Sequence, residues 1–351
     1  MESVNVTDIL MNSNLALEKN NANIVVSKHR RISVCFPACI NLETDLLRAL
    51  YLFWGDGSYI KKIHFTNKEP ELHLYILEMF ERYFSIARNT WRLRVLYNEC
   101  EGDQAEKIKI EWLKQLNFEQ HQLYPKIAIT GFKCNENGNG RIIIDKLTYC
   151  DFLRHLISYV NSLIENKELN ENQLVAVLDG ILNAEGSAHI DSIGLHKIVI
   201  TLHEKEVKFV RNILSQLNID DIFVERQGKL TVMGWRNLYK FVKLFAISDL
   251  CPFSVHNKRK SNAINGFLNH KRTGALYNYL SIIEENEGLA LRQLARIAKR
   301  DPASAQVVVL ERLKEFTNVS GGGIPGKRYK ILLSDEGREF LQVIRKLKEW
   351  R

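Results

Sequence analysis

The chain has 351 residues, with 49 Lys and Arg against 41 Asp and Glu and a formal net charge of +8. That length holds two or three domains with buried cores, and the positive balance favours an anionic partner, nucleic acid first. The first apolar run, Ile24-Val25-Val26, is too short for a leader or a membrane anchor, so a cytoplasmic protein without membrane contact is expected.

In chain order, residues 1–30 are rich in Asn and end on the basic cluster Lys28-His29-Arg30-Arg31, which reads as a loosely held, solvated arm, with phosphate contact by its basic residues as the alternative. An extended stretch from Arg31 to Leu42 follows, and Thr44 is placed to cap a helix starting near Asp45. That helix carries Leu46, Leu47, Leu50, Leu52 and Phe53 around much of its girth, so it expects neighbours on several sides. A strand at Ile60–Thr66, a helix at Glu69–Ile86 with Pro70 in its first turn, and strands at Leu93–Tyr97, Lys126–Thr130 and Arg141–Ile144 come next. A helical insertion at Gln104–Leu116 separates the first two of those strands, Asn135–Gly140 reads as a hairpin tip, and a helix at Thr148–Ile164 closes the first unit.

The second unit repeats this order more compactly. Its leading helix, Glu171–Ala184, puts Leu174, Val177, Leu178, Ile181 and Leu182 on one face, and the small residues Ala176, Gly180 and Ala184 at four-residue steps on another, where a second backbone could approach. A hairpin through Ala188–Ile190 and Leu195–Leu202, a helix at Glu204–Leu217, strands at Ile222–Val224 and Leu230–Val232, and a helix at Trp235–Phe245 complete it. The reading is α+β, with an arm at 1–30, units at 31–168 and 169–262, and a third domain at 263–351.

Two stretches stand out. Ala49-Leu50-Tyr51-Leu52-Phe53-Trp54-Gly55-Asp56-Gly57 and Leu178-Asp179-Gly180-Ile181-Leu182-Asn183-Ala184-Glu185-Gly186 each deliver one carboxylate, Asp56 or Glu185, at the end of an apolar helix, followed by Gly and Ser. If the two helices pack together, the paired acids suit a hard divalent cation.

These stretches resemble the paired LAGLIDADG motifs of single-chain homing endonucleases, over roughly residues 30 to 260. Gly180 matches the small third motif position and Tyr51 does not, so Tyr51 is expected to pack into the gap left by Gly180. The first half also has a short interval between Gly57 and Asn67, too brief for a long hairpin. The resemblance implies two pseudo-symmetric αββαββα-type units forming a saddle whose sheets lie along the DNA major groove. It also implies a monomer that uses Mg²⁺ or Mn²⁺, held by Asp56 and Glu185, to hydrolyse double-stranded DNA at a specific site. Lys258 or Lys260 would be the accompanying lysine, and Asn67 and His203 the polar residues of the two sites. For the lysines, phosphate contact or a solvated linker is an equal alternative, and His203 could simply cap the helix that follows it. Lys61, Lys62, Arg226, Lys229 and Arg259 are further candidates for contact with DNA.

The last segment, after His256-Asn257-Lys258-Arg259-Lys260, reads as a winged helix: helices at Thr273–Glu285 and Leu289–Ala298, and a third from the Asp301-Pro302 cap to Phe316. A Gly-rich wing at residues 320–328, a strand at Tyr329–Leu333 and a closing helix from Ser334 complete it. Ser304 and Gln306 on the third helix are placed to reach base edges, and Lys327 and Arg328 to meet phosphates. Winged helices also serve as protein-contact modules. Two further readings stand beside cleavage: a non-cleaving transcription regulator, since some LAGLIDADG relatives carry helix-turn-helix domains, and a maturase acting on intron RNA. Six cysteines, Cys35, Cys39, Cys100, Cys134, Cys150 and Cys251, form no Cys-x-x-Cys pair and are expected to be reduced thiols.

Overall fold

The computed structural model describes residues 3–10, 13, 15–20, 22–28, 32–97, 102–129, 138–219, 222–225, 228–248, 258–320 and 330–350. The chain is mixed α and β and divides into two units: Met1–Ser187 with Val199–Thr231 and Pro252–Lys260, and Ala188–Ile198 with Val232–Cys251 and Ser261–Arg351. No helix among the described residues is long and apolar enough to cross a membrane.

The first unit opens with β1 (Ser3–Asn5), α1 (Val6–Leu10), β2 (Ala16–Asn20), β3 (Asn23–Lys28), β4 (Ile32–Pro37) and β5 (Cys39–Asn41). The expected loose arm is therefore corrected. β2, β3 and β4 form an antiparallel meander in which Ile24 faces Phe36 and Val26 faces Val34, all four buried. Period-two alternation buries one side of β3 and outweighs the polar composition around it. Of the basic cluster, residues 29–31 lie outside the described residues.

Next come α2 (Thr44–Asp56), β6 (Gly57–Ser58), β7 (Ile63–Asn67), α3 (Pro70–Phe84), β8 (Arg92–Tyr97), α4 (Gly102–Leu116), β9 (Ala128–Ile129), β10 (Asn139–Ile144) and α5 (Leu147–Glu165). Glu43 rather than Thr44 is the N-cap of α2, whose buried residues include Leu46, Leu47, Leu50, Tyr51, Leu52 and Phe53. The strands form one sheet in the order β6-β7-β10-β8-β9, with β9 shorter than its sequence suggests and parallel to β8. Phe53, Phe65, Phe80, Phe84, Trp91 and Phe152 fill the core on one side of it.

α6 (Glu171–Glu185), β11 (Gly186–Asp191), β12 (Gly194–Thr201), α7 (Glu204–Gln216), β13 (Ile222–Glu225), β14 (Lys229–Met233) and α8 (Trp235–Ile247) follow, and their strands run in the order β11-β12-β14-β13. The chain continues with α9 (Lys258–Leu268), α10 (Lys271–Glu285), β15 (Leu289–Ala290), α11 (Leu291–Ile297), α12 (Pro302–Val307), β16 (Thr317–Ser320), β17 (Lys330–Leu333) and α13 (Asp335–Glu349). A three-stranded sheet in the order β15-β17-β16 joins these last elements. In the second unit Trp235, Tyr239, Phe267, Phe316 and Phe340 stack into one aromatic cluster. Two expectations are corrected here. Leu289 and Ala290 are strand rather than helix, and the helix beginning at Pro302 gives way at Val308–Arg312 to a π-type turn instead of running to Phe316.

His73 ties α3 to the middle of the larger sheet. Fully buried, its Nδ1 lies 3.0 Å from the Glu69 carbonyl and its Nε2 2.9 Å from the Gly140 carbonyl, between the edges of Phe65 and Trp112. Burial pushes the imidazole down to about 4, against the two carbonyls, which favour its protonated form. The unfolded chain holds this proton from about pH 6.5 downward, so the native state binds fewer protons between those values. Stability is thus fully present above pH 6.5 and is lost as the pH falls toward 4, by about 3 kcal/mol in total. Urea unfolding across that range should show the slope, and His73→Gln should flatten it. An unchanged slope in His73→Gln would place its source elsewhere.

Candidate nucleic-acid interface

α2 and α6 meet along their length at backbone distance. A Cβ on Gly180 would lie 2.4 Å from the Arg48 carbonyl oxygen and 2.9 Å from the Leu52 nitrogen, and one on Gly55 would lie 2.4 Å from the Ala184 Cβ and 3.6 Å from Glu185 Oε1. The small residues at four-residue steps are what permits this approach. Because Asp56 follows Gly55 directly, Asp56 and Glu185 stand at adjoining helix ends, both half-buried. The Asn170 side chain caps the start of α6, and the Gln173 amide reaches across to the Leu42 carbonyl at 3.0 Å, which fixes the register of the pair.

The expectation for Tyr51 is corrected in part. Its Cβ does sit over Gly180, but its ring leaves the seam, stacks on Phe209 and donates from its hydroxyl to Asn161 Oδ1 at 2.6 Å. Between the helices Arg48 Nε lies 2.7 Å from Asp179 Oδ2, a close ion pair without good hydrogen-bond alignment. Asp179 is wholly buried and accepts from the Asn183 amide through its backbone carbonyl at 2.9 Å. Burial alone lowers the Arg48 pKa, and Asp179, Tyr75 and Asp45 together more than offset it.

Asn67 joins the acid pair. Its Oδ1 accepts from the Glu69 N–H at 2.9 Å, which leaves Nδ2 facing Asp56 Oδ2 at 2.7 Å. His203 is the exposed N-cap of α7, with its backbone N–H donating to Glu206 at 2.9 Å, as the alternative reading of this residue has it. Lys258, Arg259 and Lys260 open α9, and their side chains lie outside the described residues, as do Arg226, Lys327 and Arg328.

The outward face of the larger sheet carries charge that sequence reasoning missed. Arg94 on β8 stands directly opposite Arg141 on β10, whose other neighbour is Thr66 on β7. Arg92 and His64, each paired to Ile143, continue the same face. Arg141 Nε donates to Thr66 Oγ1 at 2.8 Å, and the Arg94 guanidinium lies 4.4 Å from the centre of the Tyr124 ring. Burial and then the Arg94 charge lower the pKa of Arg141, and burial, Arg141 and Lys62 lower that of His64. Like charges facing each other across strands are unfavourable, so this face is disposed to take up anions. The alternation Arg92-Leu93-Arg94-Val95 was the available signal.

Of the other candidates, Lys61 is exposed, and Lys62 is engaged by Asp145 at 2.6 Å. Lys229 is half-buried at the start of β14. Ser304 and Gln306 are exposed on α12, where the Ser304 N–H donates to its N-cap, Asp301, at 2.9 Å. Among the described residues Cys35, Cys39 and Cys150 form no disulfide.

No group of three or more His, Cys, Asp or Glu is arranged for a metal among the described residues. Two carboxylates do fit Mg²⁺, an ion usually held by one or two protein carboxylates together with water and substrate phosphates.

No family model matches the chain. No curated protein matches it either. Among solved structures the chain is similar to one described as the crystal structure of full-length DUF199/WhiA from Thermatoga maritima. The identity is 12%, the TM-score 0.31, and the match covers 78% of this chain and 92% of that one. This corrects the resemblance drawn from the two motifs. Membership of the LAGLIDADG homing endonucleases has no family model behind it, and the similar structure carries another family's name. The paired acid-Gly stretches do lie on two helices packed at backbone distance.

Proposed function

We propose that the chain is a DNA-binding protein that acts as a regulator, setting the arginine face of its larger sheet against the phosphate backbone of duplex DNA. The observation that carries this reading is the cross-strand pair Arg94 and Arg141, extended by Arg92, on a chain of net charge +8. Sheets serve as DNA readers in other proteins, and the hydroxyl of Thr66 and the ring of His64 lie beside the arginines to supply polar contacts. In the last part of the chain, helix, strand, two helices and two strands follow the order of a winged helix, with Ser304 and Gln306 exposed on α12 as candidates to reach base edges.

Fluorescence anisotropy with a labelled duplex over a salt series tests this. Arg94→Ala and Arg141→Ala should each weaken binding at every sequence tried and lower the salt slope by about 1. Unchanged slopes in both would remove the sheet from the interface, and tighter binding of RNA than of duplex would redirect the reading to RNA.

A second reading, metal-dependent cleavage, is favoured by one observation, the adjoining positions of Asp56 and Glu185. Bound Mg²⁺ would there lower the pKa of a water and stabilise charge on the attacking and leaving oxygens. This chain's part would be to hold the ion with the two carboxylates, while Asn67 orients Asp56. Supercoiled plasmid with Mg²⁺ separates the two readings. Retardation without nicks is expected, and nicks that disappear in Asp56→Asn and in Glu185→Gln would establish the nuclease instead.

A further inference from the structure

We propose that a groove in the second unit, between the N-terminal half of α10 and the π-type turn Val308–Arg312, is a binding site for a small organic anion with an apolar body. The groove encloses about 500 Å³, within the range of small-molecule sites. Its floor is apolar, with Leu276 and Leu313 buried and Val308 half-buried, and Tyr279 stands at the side. Lys271, Arg272 and Arg312 are its cations and Glu311 its acid, which leaves the mouth positive.

Three features show that the positive charge is gathered here against local preference. Lys271 and Arg272 occupy the first turn of α10, which has no acidic residue, at the end where the helix dipole already disfavours cations. Arg272 is pinned by stacking 4.6 Å from the centre of the Trp235 ring, whose own Nε1 donates to Thr273 at 2.9 Å. Glu315, the acid that acts on Arg272, is shared with Arg236, which it meets at 2.5 Å. Burial and Arg236, then Arg312, lower the pKa of Arg272 and outweigh Glu315, which raises it, so an arriving anion relieves repulsion.

The opposite wall is a π-type turn closed by the Leu313 N–H donating to the Val308 carbonyl at 2.9 Å. Such widened turns occur often at functional sites. This one carries Val308, Glu311 and Arg312 to the groove. A DNA phosphate needs cations but no apolar floor, so the pairing of the two selects a ligand with an anionic head and a hydrocarbon or aromatic body. The inference does not rest on DNA binding.

The test uses the full chain and two probes, phenyl phosphate by isothermal titration and 8-anilinonaphthalene-1-sulfonate by fluorescence. Saturable binding at one site is expected, with inorganic phosphate and neutral benzyl alcohol each weaker by about tenfold or more. Arg312→Ala should weaken both probes by about tenfold. Ala275→Trp, at an exposed position that lines the groove, should abolish binding while the thermal midpoint stays at that of the parent. The proposal is overturned if neither probe saturates, if inorganic phosphate binds as well as phenyl phosphate, or if both variants bind as the parent does. Competitive displacement of phenyl phosphate by a DNA duplex would also overturn it, by making the groove a backbone contact.

Discussion

Gly180→Ala should destabilise the protein by about 3 kcal/mol, and Gly180→Val by more, at or beyond the upper end of ordinary overpacking penalties. The sign is the informative part. Alanine in the middle of a helix is ordinarily better than glycine by up to about 1 kcal/mol, so the substitution would stabilise an α6 that merely lay near its neighbour. Here the added methyl would sit 2.4 Å from the Arg48 carbonyl oxygen and 2.9 Å from the Leu52 nitrogen. Both are backbone atoms of α2, and no rotamer change moves them aside, so the helices themselves must separate. Urea denaturation monitored by circular dichroism measures this, with an unchanged m-value showing that the loss belongs to the native state. A Gly180→Ala protein as stable as the parent would mean the helices do not touch at backbone distance.

The second large effect is expected at the ion pair beneath that contact. Asp179→Ala should cost about 3 kcal/mol, the lower end for breaking a buried pair, because the mostly enclosed guanidinium keeps Asp45, 3.3 Å from its Nη1, as its remaining anion. The Arg48 side chain is only 13% exposed and that of Asp179 not at all. Arg48→Met should cost as much or more, since the carboxylate it leaves behind has no access to water. Replacing both partners, as Arg48→Met with Asp179→Leu, should return most of the loss, because two apolar side chains need no partner. A double variant no better than the worse single one would show that the pair is worth more than its desolvation. Chemical denaturation of the four proteins supplies the cycle.

The helix seam was legible in the sequence because it is local. Nine-residue runs with one acid at the end and small residues at four-residue steps specify which face can approach a neighbour, and Gly180 and Ala184 do face α2. Asn67 was legible for a related reason, standing at the end of the strand that follows Asp56. What was hidden depends on partners distant in the chain. β10 enters the sheet between β7 and β8, and only that insertion sets Arg141 opposite Arg94. Asp179 reads as one more motif residue until Arg48 is seen across the seam. Lys62 reads as a free cation until Asp145 is found 2.6 Å away. The N-terminal meander was hidden by composition, since an Asn-rich stretch can still bury every second side chain.

The pairing of α2 with α6 also governs the order in which the protein can mature as it leaves the ribosome. α2 emerges with its last residue at Asp56, and the helix that shields its seam is complete only at Glu185. At about 5–20 residues per second, translation leaves that seam without its cover for on the order of ten seconds. For that interval the uncovered seam would be open to holding chaperones, and synonymous codons that slow elongation between the two helices would lengthen its exposure.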